Sequence, residues 1–311
     1  MTSPALELRG VGKDFGARTA VGAIDLAVAR GECIGLLGPN GAGKTTTISM
    51  ACGILTPTRG TIAVGGVDLS RQPRVAKAKL GLVPQELALY EELPAIDNLR
   101  YFGALYGLIG AKLAERVAWA LALVGLSERA REPVRRFSGG MKRRLNLAAG
   151  LLHAPEVLIL DEPTVGVDPQ SRHRIFDAVR QLRDHGMSIV YSTHYLDEVE
   201  VLCDRVAIID RGAIIANGSV AELIARHAAD GAAIALAGPA AAIEAAAAAV
   251  AATNELVRNG DTLRLTRPKS LTPVIAAIES AGASVARVDA RGGSLEAAFL
   301  ALTGRALRDE P

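Results

Sequence analysis

The first 220 residues alternate between short apolar runs and longer amphipathic stretches. The apolar runs of strand length are Ala20 to Val28, Glu32 to Leu37, Val157 to Leu160, Ser188 to Ser192 and Val206 to Ile209. A short, mostly apolar run is typical of a strand that is buried on both faces of a parallel sheet. Strands that alternate with helical stretches predict βαβ units, so we expect an α/β domain on a mainly parallel core sheet.

Smaller pieces are predicted around this core. Thr45 to Ile54 has a helical pattern, and Arg211-Gly212 turns the chain toward Ala213 to Ala216, which indicates a hairpin. Gly53 to Gly66 is rich in turn residues with short β runs, so a small antiparallel β subdomain is expected there. Ile96 to Leu126 is helical in pattern with few strand signals and indicates a helical insertion.

The composition changes after about residue 220, where alanine becomes more frequent and no glycine-rich loop occurs. Thr262 to Thr266 alternates like a strand. Two sets of apolar residues share the i, i+3, i+4, i+7 spacing of one helix face: Leu271, Val274, Ile275 and Ile278, and then Leu295, Ala298, Phe299 and Leu302. We predict a first domain over residues 1–225, with a helical subdomain at about 86–155. A small C-terminal α+β domain follows over 226–311, its elements lying between Gly231 and Leu307.

Composition narrows the class of protein. Of the 311 residues, 50% are hydrophobic and 22% are charged, and the formal net charge is +2. Such a chain can bury a sizeable core, which excludes a long disordered protein. Proteins that coat nucleic acid usually carry a marked basic excess, so no nucleic-acid partner is expected.

Neither the cysteines nor the apolar segments indicate a disulfide framework, a metal site, secretion or a membrane span. Cys33, Cys52 and Cys203 are widely spaced, without metal-ligand or disulfide spacing, and we expect them to be inert apolar side chains. The N-terminal residues have no secretory pattern. The alanine-rich stretch Ala240 to Ala252 is too short for a bilayer and contains Glu244. The chain is therefore not expected to span a membrane.

A glycine-rich loop follows the run Cys33 to Leu37 and precedes a helical stretch. It fits G-x-x-x-x-G-K-[ST] and consists of Gly38, Pro39, Asn40, Gly41, Ala42, Gly43, Lys44 and Thr45. Glycines allow positive φ, so that successive N–H groups can point at phosphate oxygens, and a helix N-terminus adds positive potential. Lys44 would contact the outer phosphates, and Thr45 would supply a hydroxyl ligand to Mg²⁺. The loop predicts a nucleoside triphosphate site.

Two carboxylates follow the strand Val157 to Leu160. Asp161 and Glu162 stand at its C-terminal end, where side chains reach the crevice that binds ligands in parallel sheets. Asp161 is suited to hold Mg²⁺ or its water, and Glu162 could accept a proton from an attacking water. Without the phosphate loop, a solvated pair in a loop would be an equally good interpretation.

A second anion-binding element lies about twenty residues earlier. Ser138, Gly139 and Gly140 precede a helical stretch from Lys142 to Leu152, and N–H groups at a helix N-terminus attract anions. A plain helix cap by Ser138 is the simpler alternative. Five basic side chains lie near this element in the sequence: Arg135, Arg136, Lys142, Arg143 and Arg144. They could indicate a nucleic-acid patch, but the favoured interpretation is a solvated face that attracts nucleotide phosphate.

From about Leu6 to Ala221 the sequence resembles the ATP-binding subunit of ABC transporters, because several motifs occur in one order. The residues that resemble the family's motifs are Phe15 (adenine-stacking aromatic), Gly38 to Thr45 with Thr46 (Walker A), Gln85 (Q-loop), Ser138 to Gly140 (signature), Asp161 and Glu162 (Walker B), Asp168 (D-loop) and His194 (switch histidine). The resemblance implies the fold of P-loop NTPases. Phe137 and Met141 depart from the commoner signature Leu and Gln, and Val167 stands before Asp168 in place of Leu.

The resemblance also implies a mechanism. Two copies dock head to tail, and each ATP lies between the Walker A loop of one copy and Ser138 to Gly140 of the other. Mg²⁺ is held by Thr45 and Gln85, with Asp161 through water. Glu162 activates the attacking water, and His194 contacts the γ-phosphate while Lys44 holds the phosphates.

A separate membrane permease subunit is the further implied partner. Its cytoplasmic helix would rest near Gln85 in a groove formed in part by Pro84 to Leu93, with Tyr90 and Leu93 as candidate contacts. The chain would then be cytoplasmic and peripheral on the inner face of the cell membrane. Three segments resemble exporters of drugs, lipids or polysaccharides: Gly81 to Asn98, Leu151 to Arg172 and Ser294 to Arg308. The cargo itself is not encoded in these motifs.

Two other functions compete with this one. The first is a soluble ABC-type ATPase that acts on DNA or the ribosome. The gap between the Walker A loop and the signature is short, without sustained heptads or cysteine pairs, and the chain has one ATPase cassette, all of which disfavour it. The second is a non-catalytic regulatory subunit, and intact Glu162 and His194 argue against it.

Overall fold

The computed structural model describes residues 3–227, 231–266, 270–291 and 294–304. The chain divides into two units, of which the first runs to Ser219 and the second begins at Val220. The elements of the first unit are β1 (Leu6–Phe15), β2 (Arg18–Val28), β3 (Cys33–Leu37), α1 (Lys44–Ala51), β4 (Arg59–Val64), β5 (Val67–Asp68), α2 (Pro73–Ala78), β6 (Leu80–Val83), α3 (Ala95–Leu105), α4 (Gly110–Leu123), α5 (Gly139–Ala149), β7 (Val157–Asp161), α6 (Pro169–Asp184), β8 (Ser188–Thr193), α7 (Leu196–Leu202), β9 (Arg205–Asp210) and β10 (Ala213–Gly218). Those of the second are α8 (Val220–His227), β11 (Gly231–Ala237), α9 (Ala240–Ala251), β12 (Leu256–Asn259), β13 (Thr262–Thr266), α10 (Thr272–Ser280), β14 (Ser284–Arg291) and α11 (Leu295–Thr303).

Four of the five apolar runs become β3, β7, β8 and β9, which form a six-stranded sheet with β6 and β10 in the order β10-β9-β3-β8-β7-β6. Every residue of β3, β7 and β8 is buried. The strands from β9 to β6 pair in parallel, whereas β10 returns antiparallel to β9 as the predicted hairpin. The register pairs Leu37 with Thr193 and Asp161 with Ser192. The segments that follow β3, β7 and β8 therefore begin at one edge of the sheet, and the predicted α/β fold with a mainly parallel core is confirmed.

A second, antiparallel sheet has the order β2-β1-β4-β5. Sequence analysis anticipated the strand Ala20 to Val28 and a β piece after Gly53, but it missed β1. The register of β1 against β2 shifts between Leu8 and Val11, and Gly10 lies there at φ +55°. Such a bulge interrupts the alternation of buried and exposed residues, so the sequence pattern of a single strand is lost.

The helix predicted over Thr45 to Ile54 is shorter in the structure, so its predicted end was wrong. α1 ends at Ala51, Cys52 is its C-cap, and Gly53 turns the chain at φ +65°. A residue in the left-handed region ends a helix, and glycine adopts it without steric cost. The hydrogen bonds from the Ile54 and Leu55 amides to Ser49 O close this end.

The helical insertion extends beyond the predicted Ile96 to Leu126, because it contains α3, α4 and α5, joined by two short 3₁₀ turns at Ser127–Arg129 and Val134–Arg136. Its apolar faces bury Leu99, Val117, Leu121 and Leu145 in one core with β7 and α6. The insertion is thereby built into the same hydrophobic core as the strand that precedes Glu162.

The second unit follows a β-α-β-β-α-β order from β11 to β14. Its sheet has the order β12-β13-β11-β14 with antiparallel pairing throughout, which is the split-βαβ arrangement of ferredoxin-like folds. Ile234, Leu263, Val250 and Ile278 form part of its own core. Within the described ranges, no helix combines the length and the apolar character that are needed to traverse a bilayer.

Candidate functional site

The glycine-rich loop joins β3 to α1 and turns the backbone sharply. Gly41 and Gly43 have φ values of +77° and +108°, a region that favours glycine. A Cβ on Gly38 would overlap the carbonyl oxygen of Ile209. Lys44 is 4% exposed, and its Nζ donates to the carbonyl oxygens of Gly38 at 2.7 Å and Pro39 at 3.3 Å. The loop thus holds a buried ammonium beneath its own backbone.

A cleft of about 1090 Å³ opens above this loop. Most residues predicted to bind the nucleotide line it: Phe15, Asn40, Gly41, Gly43, Lys44, Thr45, Thr46, Gln85, Glu162 and His194. The lining also includes residues that sequence analysis did not single out, namely Arg18, Thr19, Ala20, Val165, Tyr195 and Arg211. Phe15 is half exposed at this cleft, so its ring is accessible to a flat ligand group.

Glu162 is the central carboxylate of the cleft. It follows β7 with φ +46°, a left-handed conformation that costs free energy in a non-glycine residue and often marks a functional site. Its Oε1 lies 3.2 Å from Lys44 Nζ and 3.3 Å from His194 Nδ1, and its side chain is buried. A carboxylate held between an ammonium and an imidazole can accept a proton from a water molecule in the cleft.

Asp161 has the environment of a cation ligand. Burial raises the pKa of its carboxyl, an effect that the nearby Ser192 and Thr45 hydroxyls oppose. Its buried Oδ1 accepts no hydrogen bond from any described residue, and an unsatisfied buried oxygen is costly unless a cation or water contacts it. With the Thr45 hydroxyl and the Gln85 amide, the donor set is made of hard oxygen ligands, which fits Mg²⁺.

The signature residues lie elsewhere on the chain. Ser138 is the N-cap of α5, where its Oγ accepts from the Met141 amide at 3.3 Å. Ser138 and Gly139 are exposed. Among the described residues, neither these two, nor Gly140, nor Asp168 belongs to the lining of the phosphate-loop cleft. The two predicted anion-binding elements therefore do not line one cleft within a single chain.

The two departures from the commoner signature are explained by packing. Phe137 is buried in the core of the helical insertion, and Met141 packs against the same core. Arg129 lies over the Phe137 ring at 5.8 Å, and its guanidinium donates to Met141 Sδ at 3.9 Å. Both side chains support the start of α5 and leave the backbone of Ser138 and Gly139 open.

Gly140, in the first turn of α5, packs closely against the first turn of α6 and its N-cap. A Cβ on Gly140 would overlap Ser171 and lie 2.8 Å from Asp168 Oδ1, whereas a Cβ on Gly139 would meet nothing within 4 Å. Gly140→Ala is expected to lower the free energy of unfolding by about 1–3 kcal/mol, the usual effect of overpacking. Gly139→Ala is the matched control and should stay within about 0.5 kcal/mol in denaturant unfolding. Equal stability of the two variants would contradict this packing.

Sequence analysis did not assign a supporting role to the residues that hold the segments around the cleft in place. The Arg143 guanidinium donates to the Gln85 carbonyl oxygen, and Asn146 contacts Pro84 O and the Ala88 amide through its side chain. Glu198, on α7, is a buried carboxylate next to the His194 turn. These residues occur in ordinary helical sequence, and only their burial and contacts distinguish them.

The chain is similar to known proteins along most of its length. The family model described as ABC transporter matches residues 21–165. The linearmycin resistance ATP-binding protein of Bacillus subtilis is 42% identical over 98% of this chain and 100% of that protein. The Nod factor export ATP-binding protein I of Ralstonia nicotianae is 37% identical over 99% of this chain and 96% of that protein. A solved structure of the ATP binding subunit of an ABC transporter superimposes with a TM-score of 0.66 at 31% identity, covering 71% of this chain and 92% of its own.

Proposed function

The chain belongs to the ABC transporter family, and we propose on that premise that it powers export through a separate membrane subunit. It binds and hydrolyses ATP. Both its family membership and its phosphate-loop cleft support this activity. Export is supported by relatives that match nearly the whole chain and are named for linearmycin resistance and for Nod factor export. The two names do not agree on one substrate, so the proposal is limited to a drug-like, lipid or polysaccharide substrate.

We assign the following roles to the residues that line the cleft. The Phe15 ring stacks on adenine; such stacking contributes about 1–3 kcal/mol per base in nucleic-acid complexes. Lys44 and the loop amides hold the phosphates. Glu162 takes the proton of the attacking water, and His194, 3.3 Å from that carboxylate, stabilises the charge that develops on the γ-phosphate. Gln85 lines the same cleft and completes the polar wall around the reacting group.

Mg²⁺ is the proposed cofactor. Thr45 and Gln85 would hold it, with Asp161 through a water molecule, and the bound ion would neutralise phosphate charge. The support is the donor set and the buried, unsatisfied Oδ1 of Asp161. The chain's own contribution is to keep these oxygens close to Lys44 and Glu162.

The proposed active form is a head-to-tail homodimer, and the position of Ser138 is the observation that carries it. Ser138 and Gly139 are exposed at the start of α5, and they lie outside the lining of the cleft of their own chain. A phosphate-binding helix start that cannot serve its own nucleotide is suited to a nucleotide held by a second copy. Asp168 packs beneath this helix start and would take part in the same contact.

The surface near Gln85 is the proposed contact with the membrane subunit. Tyr90 is 48% exposed and Leu93 is 39% exposed, and the Tyr90 ring contacts the rings of Tyr101 and Phe102. Asn98 fixes this loop because its side chain bonds to both backbone groups of Tyr90 and to Leu93 O. Through such a partner the chain would lie on the inner face of the cell membrane.

Co-expression tests this assembly. If the neighbouring gene encodes a multi-spanning membrane protein, that protein is the partner to express, and the two are expected to purify as one complex. Tyr90→Ala should lower retention of the partner at least ~10-fold, since exposed aromatic side chains often dominate interfaces. Val75→Ala, at an exposed apolar position on α2, should leave retention unchanged.

The alternative, an ABC-type ATPase that serves DNA or the ribosome, predicts a different result. The chain would then purify with nucleic acid or ribosomes, and no membrane protein would be retained. The relatives named for resistance and export, at 42% and 37% identity over nearly the whole chain, favour the transporter.

A further inference from the structure

A buried carboxylate behind the cleft gathers four hydrogen-bond donors. Glu198 of α7 has no solvent exposure. Its Oε1 accepts from Thr164 Oγ1 at 2.6 Å and from Arg172 Nε at 2.9 Å. Its Oε2 accepts from Thr193 Oγ1 at 2.7 Å and from the Tyr191 hydroxyl at 3.1 Å. Both oxygens are therefore satisfied, by partners from four separate positions in the chain.

One pair of these partners holds the turn that carries His194. Thr193 immediately precedes His194, and its Oγ1, which donates to Glu198, also accepts from the Tyr195 amide at 3.0 Å. The Tyr195 ring lies 4.1 Å from the His194 ring, centre to centre. Burial raises the pKa of Tyr191 well above its ordinary value, so its hydroxyl stays protonated and remains a donor. The backbone on both sides of His194 is thereby tied to Glu198.

The other pair holds the segment between Glu162 and α6. Thr164 is two residues beyond Glu162, and Arg172 is one helical turn beyond Asp168, the N-cap of α6. The Arg172 amide donates to Asp168 O at 2.9 Å. The guanidinium of Arg172 also pairs with Asp197 at 2.6 Å and lies 5.6 Å from the Tyr195 ring. One carboxylate thus connects the loop after Glu162, the start of α6 and the turn at His194.

Stability alone is a weak reason for such an arrangement. Burying an ion pair costs several kcal/mol of desolvation per ion, and replacement by apolar residues is often neutral or stabilising. A buried, fully satisfied polar network instead specifies one arrangement of the elements that it joins. Here those elements carry Glu162, Asp168 and His194.

We propose that Glu198 is a positioning residue that keeps the His194 turn and the Asp168 loop in one fixed relation. It does not touch the nucleotide, because among the described residues it is not part of the cleft lining. It acts by setting the position of His194 relative to Glu162, so it affects the chemical step and leaves ATP binding nearly unchanged. The inference rests on the proposed role of His194 in hydrolysis.

Steady-state ATPase rates of the full chain provide the first test. Glu198→Ala removes all four contacts and is expected to lower kcat about 10–100-fold, the scale of a misplacement of about 1 Å, with KM for ATP changed less than about twofold. Glu198→Gln keeps acceptor and donor groups for the hydroxyls, so its loss of kcat should be smaller. Asp197→Asn, which alters the exposed partner of Arg172, is the control and should keep kcat. An unchanged kcat in both Glu198 variants would overturn the proposal.

A double-mutant cycle separates positioning from general support of the fold. If Glu198 acts through His194, Glu198→Gln should change the single-turnover rate less than about twofold when His194 is already alanine. The proposal would be overturned if the rate losses of the two single variants multiply in the double variant and the Glu198 variant melts at a lower temperature. Glu198 would then be a merely structural residue. The His194→Ala variant alone tests the premise, because a wild-type rate there would refute the role of His194 itself.

Discussion

Glu162→Gln is expected to bind ATP normally but to hydrolyse it at least ~10²-fold more slowly, the usual loss for a missing general base. The side chain lies between Lys44 Nζ and His194 Nδ1, and its amide isostere preserves this packing without the basic oxygen. Phosphate release under saturating ATP measures the effect. Glu244→Gln, at an exposed position on α9, is the conservative control and should hydrolyse at the wild-type rate.

The same variant also tests the proposed dimer. With hydrolysis blocked, ATP should accumulate between two copies, and sedimentation should show a dimer that depends on ATP. Adding Ser138→Arg should abolish that dimer, because a bulky side chain at the exposed start of α5 would obstruct the second nucleotide. Near-wild-type turnover of Glu162→Gln would refute the assignment of the base, whereas slow turnover by a persistent monomer would refute the dimer alone.

Lys44→Ala is expected to abolish measurable nucleotide binding. A hydrogen bond to a charged group contributes roughly 1.5–3 kcal/mol, so losing two phosphate contacts weakens affinity ~10²-fold or more. Lys44 is buried under the loop, and its Nζ is held in place by hydrogen bonds to Gly38 O and Pro39 O. Calorimetric titration with ATP measures the loss.

The controls for Lys44→Ala must distinguish a loss of ATP binding from a loss of the folded structure. Removal of Lys44 leaves Glu162 without its buried cationic partner, which itself destabilises a protein. Lys44→Met keeps most of the side-chain volume, and circular dichroism should show both variants folded. Lys112→Ala, at an exposed position on α4, should bind ATP like the wild type. An unchanged affinity in a folded Lys44 variant would contradict the assignment.

The candidate site was largely accessible to sequence reasoning because its chemistry uses contiguous motifs. The loop from Gly38 to Thr45 and the pair Asp161-Glu162 carry their functional groups within a few residues, and each follows a recognisable buried strand. Parallel strands end at a common edge, so their proximity followed from the predicted α/β fold. His194, which follows β8, was assigned through the resemblance to the ABC family.

The residues that support the site, in contrast, could not be predicted from the sequence. Glu198 and Arg143 belong to helices with ordinary polar composition, and nothing in their spacing indicates which side chain is buried. β1 was missed because the bulge at Gly10 interrupts its alternation. α1 was predicted too long because apolar residues continue past the glycine that ends it.

The sequence by itself determined the fold class, the phosphate loop and the carboxylates of this ABC family member, because periodicity and short motifs are local properties of the chain. Only the tertiary structure decided that Ser138 lies outside the lining of its own cleft, that Met141 is a packing residue, and that Glu198 links the turn of His194 to the start of α6. Burial and hydrogen-bond partnership depend on contacts between residues distant in sequence, and those distances are fixed only when the elements pack.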